Sequence, residues 1–262
     1  MNKTRIEWCD RTWNPVTGCL HRCEYCYARR IAKRFGTFLN GFKPEERGLA
    51  LILNELHRLY ELDKPVRDET GRVEPYPANF YPTLHRYKLD EPQGIKTPQN
   101  IFVCSMADLF GDWVPDEWIE QVFEACVKAP QHRYLFLTKN PNRYLELARA
   151  GILPEQDNFW YGTSIPTPDT LFWWSDFHNT FVSIEPMLKA FPPAEDSTVK
   201  KVGWAIMGAM TGPGSKKHQP KKAWVESFLS DAVADGIPVF MKDSLIPIVG
   251  EENMKREFPW GR

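Results

Sequence analysis

At 262 residues with 42% hydrophobic and 26% charged side chains, the chain has ordinary globular composition, which excludes disorder over most of its length and suits one α/β domain spanning residues 1–262. A net charge of −1 excludes a whole-molecule field able to hold a polyanion, so any nucleic-acid contact must come from a local patch. No apolar run reaches the roughly 18 residues of a membrane helix, and the opening MNKTRIEWCD lacks the apolar core of a signal peptide, so a cytoplasmic protein with no membrane partner is expected.

Short β-branched or aromatic runs alternate with helical patterns, the signature of βα units and a parallel sheet. A strand over Thr4–Trp8 comes first, followed by a cysteine-rich loop, a helix over Tyr27–Phe35 closing at Gly36, and a second helix over Pro44–Tyr60. The proline-rich stretch 61–100 has no clean periodicity and reads as an ordered insertion or lid. Beyond it the pattern predicts strand Ile101–Cys104, helix Asp116–Lys128, strand Tyr134–Leu137 and helix Pro141–Ala150. Strands Trp160–Thr163, Phe181–Ile184 and Gly203–Met207 follow, then helix Lys222–Ala234 and strand Pro238–Met241. Pro44 and Pro141 suit a first helical position, while Gly151 and Gly236 fall where a left-handed cap ends a helix. This order predicts a partial (βα)6-type, TIM-like barrel with parallel strands. Segment Thr211–Lys222 reads as a loop with local, solvated positive charge.

Six cysteines would suit a disulfide framework in a short secreted chain, but three of them here fall within eight residues of a chain expected in a reducing compartment. Cys19, Cys23 and Cys26 form a C-x3-C-x2-C run with the aromatic Tyr25 directly before the third cysteine. Thiolates are the usual ligands of iron–sulfur clusters, and three of them on a cubane that needs four leave one iron open to an exogenous chelator. Gly18 suits the tight turn that wrapping a cluster requires, and Cys26 opens a helix whose dipole favours an anionic group. Structural zinc, with His21 as fourth ligand, is the competing reading, but zinc sites usually arrive as two separated pairs and no second C-x2-C or H-x3-H occurs. Three buried thiols are the other alternative, at odds with the flanking His21, Arg22 and Glu24.

The run resembles, at every fixed position, the cluster motif of the radical S-adenosylmethionine (SAM) superfamily. The wider segment from Asn14-Pro15-Val16-Thr17-Gly18-Cys19 to Cys26-Tyr27-Ala28-Arg29 is similar to the cluster segment of spore photoproduct lyase. SMADLFGDW, FLTKNPNRY, YGTSI, SIEPML, MGAMTGPG and FMKDSL resemble, over nearly the whole chain, a phage-associated radical-SAM-like family of unassigned function. Many members of that family have a longer gap between the first two cysteines, where this chain keeps three residues. The resemblance implies a [4Fe–4S] cluster, SAM as cosubstrate, reductive cleavage of SAM to a 5′-deoxyadenosyl radical, and a low-potential electron donor such as flavodoxin or ferredoxin.

In a parallel αβ barrel the chemistry sits at the C-terminal strand ends. Ser105 and Asp108 follow the second expected strand, where the resembled enzymes hold the SAM amino group; Asp108 serves equally well as a helix cap or turn residue. Lys139, Ser164 and Glu185 follow the next three strands and are candidates for the SAM carboxylate or ribose, with a buried Lys–Glu ion pair as the structural alternative. Gly208 follows strand six, where backbone can approach adenine, and Lys242 and Asp243 close the circuit. Cys104 is a candidate hydrogen-atom donor, with a small core residue as the blander reading; Cys126 reads as core and Cys9 fits no ligand pattern. Arg22, Arg29, Arg30, Lys33 and Arg34 form a basic face around the cluster helix, able to meet phosphates or simply solvated.

The expected function is therefore a radical SAM enzyme acting on nucleic acid, by DNA lesion repair or nucleoside modification, with a partner protein as a competing substrate. An iron–sulfur partner or sensor without radical catalysis, and a zinc-stabilised nucleic-acid-binding module, are the readings from other classes.

Overall fold

A computed structural model describes residues 1–36, 50–54, 57–192, 198–212 and 214–261. The chain divides into two compact units, Met1–Thr4 with Cys9–Tyr134, and Arg5–Trp8 with Leu135–Arg262. Both are mixed α/β and both contain parallel strand pairs.

In the first unit, β1 (Asn2–Lys3) pairs antiparallel with β2 (Arg11–Trp13), which runs parallel to the later strand Asn100–Val103. β3 (Val16–Thr17) leads into the cysteine loop and α1 (Tyr27–Phe35). A second sheet then forms from β4 (Ala50–Asn54), β5 (His57–Leu62) and β6 (Thr83–His85), in the order β3-β6-β5-β4. β7 (Asn100–Val103) is buried at every position, as expected of a strand covered on both faces. In α2 (Asp116–Val127) the buried Trp118, Ile119, Val122, Phe123 and Cys126 recur at helical spacing, and Asp116 and Glu117 complement the positive end of the dipole. The Trp118 indole N–H donates to the Glu61 carboxylate (2.6 Å), which also pairs with Arg86, so the 61–100 stretch is pinned to α2.

The chain passes into the second unit within β8 (Arg133–Thr138). There α3 (Pro141–Arg149), β9 (Phe159–Ser164), β10 (Asn179–Ile184), β11 (Trp204–Met207), α4 (Lys222–Ala234), β12 (Val239–Met241) and the short α5 (Ile246–Val249) follow. β9, β10, β11 and β12 are neighbours in that order and parallel, with Phe181 opposite Trp204 and Ile184 opposite Met207. Alternation along the strands makes two apolar layers. Val182, Ile184, Ala205, Met207 and Met241 pack with Val225, Phe228 and Ala232 of α4. Phe181, Trp204 and Phe240 instead join Trp8, Phe258 and Trp260 in an aromatic cluster centred on the fully buried Trp204.

Most sequence-based elements fall where expected, and Gly151 and Gly236 have positive φ beyond their helices. Two do not. Thr4–Trp8 is not a strand: Trp8 packs against Phe181 and Trp204, and Glu7 accepts the Asp243 amide, so the segment serves as a plug for the second unit. The described part of Pro44–Tyr60 is the antiparallel β4–β5 pair rather than a helix, because burial of Leu59, Tyr60 and Leu62 outweighs the helical propensity of the run; residues 44–49 and 55–56 lie outside the described residues. Among the described residues, no helix is long and apolar enough to cross a membrane.

Candidate functional site

The cysteine loop is strung between several parts of the first unit. Gly18 has φ +87°, donates its N–H to the Met106 carbonyl (2.9 Å), and lies so close to Tyr81 that a Cβ would collide with that carbonyl. Only glycine meets both demands. The Cys19 N–H reaches the Phe80 carbonyl (3.3 Å), and the Cys26 N–H folds back to the Cys23 carbonyl (3.2 Å). Cys26 then caps α1, its sulfur accepting the Arg29 N–H (3.3 Å), which sets one thiol at the positive end of a helix dipole. All three cysteines are free and half-buried, and Tyr25 is half-buried between the second and third.

Burial pushes the Cys19 thiol up to about 12, helped by the negative charges of Asp108, Cys23 and Cys26 and opposed by a hydrogen bond from the His21 backbone. A bound cation reverses this balance, so metal loading releases protons. Among the described residues no three His, Cys, Asp or Glu side chains converge tightly enough to hold a metal ion. Cys19 nevertheless lies close enough to Cys23 and Cys26 to feel their charge.

Around the loop, the buried Asp108 is held by His21 (2.7 Å) and by the Phe110 amide (3.1 Å), while the His21 ring meets Trp113 edge-on at 4.9 Å. Asp108 thus serves as a turn residue and as an anchor for the cysteine loop. Ser105 donates to the Asn14 side-chain carbonyl (3.2 Å), which also receives the Met106 N–H (2.8 Å), and the Ser105 carbonyl accepts the Tyr27 hydroxyl (2.6 Å). Cys104 ends β7 at φ +58°, only 3% exposed, and burial pushes its thiol up to about 12, so it stays an S–H group in a core position.

Asn14 and His85 escaped sequence reasoning. The fully buried His85 bonds the Thr17 hydroxyl (2.8 Å) through Nε2 and approaches the Tyr87 hydroxyl (3.3 Å) through Nδ1, bracing the strand that delivers Gly18 and Cys19. Burial, then the nearby Lys88 charge, holds its pKa well below the usual 6.5. Because the unfolded chain takes up a proton that the folded chain refuses, stability is full above pH 6.5 and falls as pH drops below it. The loss is expected to reach up to about 1.4 kcal/mol per pH unit. His85→Gln, which keeps a donor toward Thr17, should flatten that slope in denaturant titrations at graded pH; an unchanged slope would exclude His85 as its source.

In the second unit the candidates gather at the C-terminal ends of the parallel strands. Lys139 donates to the Ser164 hydroxyl (2.8 Å), across the ends of β8 and β9. Glu185 pairs not with Lys139 but with Lys242, whose ammonium also faces Glu7 at 3.9 Å. Between them lies Gly208, where a Cβ would press within 3.1–3.2 Å of both side chains. Glu7 was missed because it belongs to a segment read as strand.

A family model described as "Protein of unknown function (DUF5131)" matches residues 3–245. The chain belongs to this family. The match takes in the cysteine loop and every strand-end residue through Asp243. No curated protein and no solved structure matches the chain.

Proposed function

We propose that this member of the family is a radical SAM enzyme of partial-barrel architecture, in which Cys19, Cys23 and Cys26 hold three irons of a [4Fe–4S] cluster and leave the fourth open. The observation that carries the reading is the all-thiol loop itself: three free cysteines within eight residues, wrapped tightly at Gly18 and ending on a helix N-terminus. Held there, such a cluster would supply the electron for reductive cleavage of SAM to methionine and a 5′-deoxyadenosyl radical.

Residues of the first unit would orient that chemistry. Asn14 and Asp108 fix the Ser105–Phe110 turn and the cysteine loop as one hydrogen-bonded body, holding Ser105 and Asp108 where an ammonium finds oxygen acceptors. The strand-end set of the second unit, taken by itself, offers an ammonium at Lys139, a hydroxyl at Ser164, a carboxylate at Glu185 and bare backbone at Gly208 to a polar ligand. Nucleic acid is our substrate proposal, as a lesion or a single nucleoside presented out of the stack.

The test is anaerobic incubation of reconstituted, dithionite-reduced protein with SAM, with and without irradiated or intact oligonucleotides, followed by quantification of 5′-deoxyadenosine. Formation stimulated by one nucleic acid is expected. A stable cluster that yields none under any reductant would point to a sensor or partner protein instead, and turnover indifferent to nucleic acid would remove the substrate proposal.

A further inference from the structure

Between Thr211 and Lys222 the chain carries Lys216, Lys217, His218, Lys221 and Lys222 and no aliphatic or aromatic side chain, and no Asp or Glu occurs anywhere between Asp196 and Glu226. The loop starts just beyond Gly208, at the strand ends that also carry Glu185 and Lys242. Gly212 and Gly214, at φ +87° and +82°, turn the backbone, and a short 3₁₀ helix, Ser215–Lys217, follows. The Gln219 side-chain amide then closes the loop, donating to the carbonyls of Met210 (2.9 Å) and Ser215 (2.8 Å), while the His218 N–H bonds the Ser215 carbonyl (2.9 Å) and Pro220 is buried. All five basic or imidazole side chains are exposed. Among the described residues only Lys222 of these five has a carboxylate partner, Glu226 at 3.5 Å, in an exposed i,i+4 pair of the weak kind, and Lys221 lies over the Trp224 ring at 5.4 Å. The whole chain has net charge −1, so this is a local excess of positive charge.

We propose that this loop binds the phosphate backbone of a nucleic-acid strand, an inference that rests on the nucleic-acid reading above and gives it a surface. Composition selects the ligand. Protein interface cores are enriched in aromatic residues, Met and Arg and depleted in Lys, and stable membrane attachment takes an apolar or lipid anchor besides a basic patch. The loop offers lysines without either, and an ammonium is a point charge suited to phosphate. Preorganisation adds to this: the Gln219 and His218 hydrogen bonds fix the backbone that carries the cations, so less ordering entropy is lost when a strand binds. Position completes the case, since the loop borders the C-terminal strand ends of the second unit, where its polar side chains gather.

Fluorescence anisotropy of a labelled single-stranded oligonucleotide with the full-length apo protein, at graded salt, tests the surface without requiring turnover. Contacts from Lys216, Lys217 and Lys221 should give a slope of log affinity against log salt of about −2, which is about twentyfold between roughly 50 and 200 mM. The combined variant Lys216→Gln, Lys217→Gln, Lys221→Gln should bind about tenfold or more weakly at the lower salt and lose most of that slope, with an unchanged urea midpoint. Arg30→Gln with Lys33→Gln, on the exposed side of α1, should behave as the parent. A parent slope near zero, parent-like binding by the triple variant, an equal loss from the α1 variant, or displacement of the oligonucleotide by polyglutamate or phosphatidylserine vesicles at matched charge would overturn the inference. Turnover separates it from the substrate proposal. Nucleic-acid-stimulated 5′-deoxyadenosine formation that falls in the triple variant, with unstimulated formation unchanged, joins the surface to the substrate; equal stimulation of both proteins removes the surface alone. A parent that binds through the loop yet shows no stimulation keeps nucleic acid as a ligand and removes it as the substrate.

Discussion

Replacing Cys19, Cys23 and Cys26 together by alanine is expected to give a folded protein that holds neither iron nor sulfide after anaerobic reconstitution, while the parent becomes brown and retains both. The fold should survive because the three side chains are half-buried and their described structural service is modest: Cys26 caps α1, and losing a cap costs about 1 kcal/mol. The cluster should not survive, since no other described cysteine has comparable access; Cys9, Cys104 and Cys126 are buried. Cys126→Ala is the matched control, expected to keep its iron. Metal and acid-labile sulfide analysis reads the result directly. Full occupancy in the triple variant, or a colourless parent replete with zinc, would end the radical SAM reading.

The second large effect is expected at Gly18. Alanine there must adopt φ +87° and place its Cβ against the Tyr81 carbonyl, so either the backbone strains or the loop withdraws from Met106 and Phe80. We expect a loss of about 3 kcal/mol in urea unfolding, seen as a lower midpoint at unchanged slope, together with poor iron retention. A midpoint equal to the parent's would mean that the loop is not clamped as described.

The thiol triad was legible in the sequence because its chemistry is written in local spacing, and the parallel strands because fully buried runs such as Asn100–Val103 and Trp204–Met207 carry few polar residues. What holds the triad was not legible. Asn14 meets Met106, Gly18 meets Tyr81 and Thr17 meets His85 only after distant segments have folded together, and no periodicity reports such pairings. The same limit applied to Glu185: its cation is Lys242 rather than Lys139, because β12 brings Lys242 to that end of the sheet. The β4–β5 hairpin was misread for a related reason, as leucine and glutamate favour a helix until a sheet edge is available to bury Leu59 and Leu62.

The loop's anchoring also bears on the order of events during synthesis. Because the amides of Gly18 and Cys19 find their acceptors on Met106 and Phe80, a ribosome that has released only about the first quarter of the chain exposes three thiols without either of those anchors. A cluster of the kind proposed would therefore be delivered after the first unit has closed, and before that the three thiols are open to oxidation.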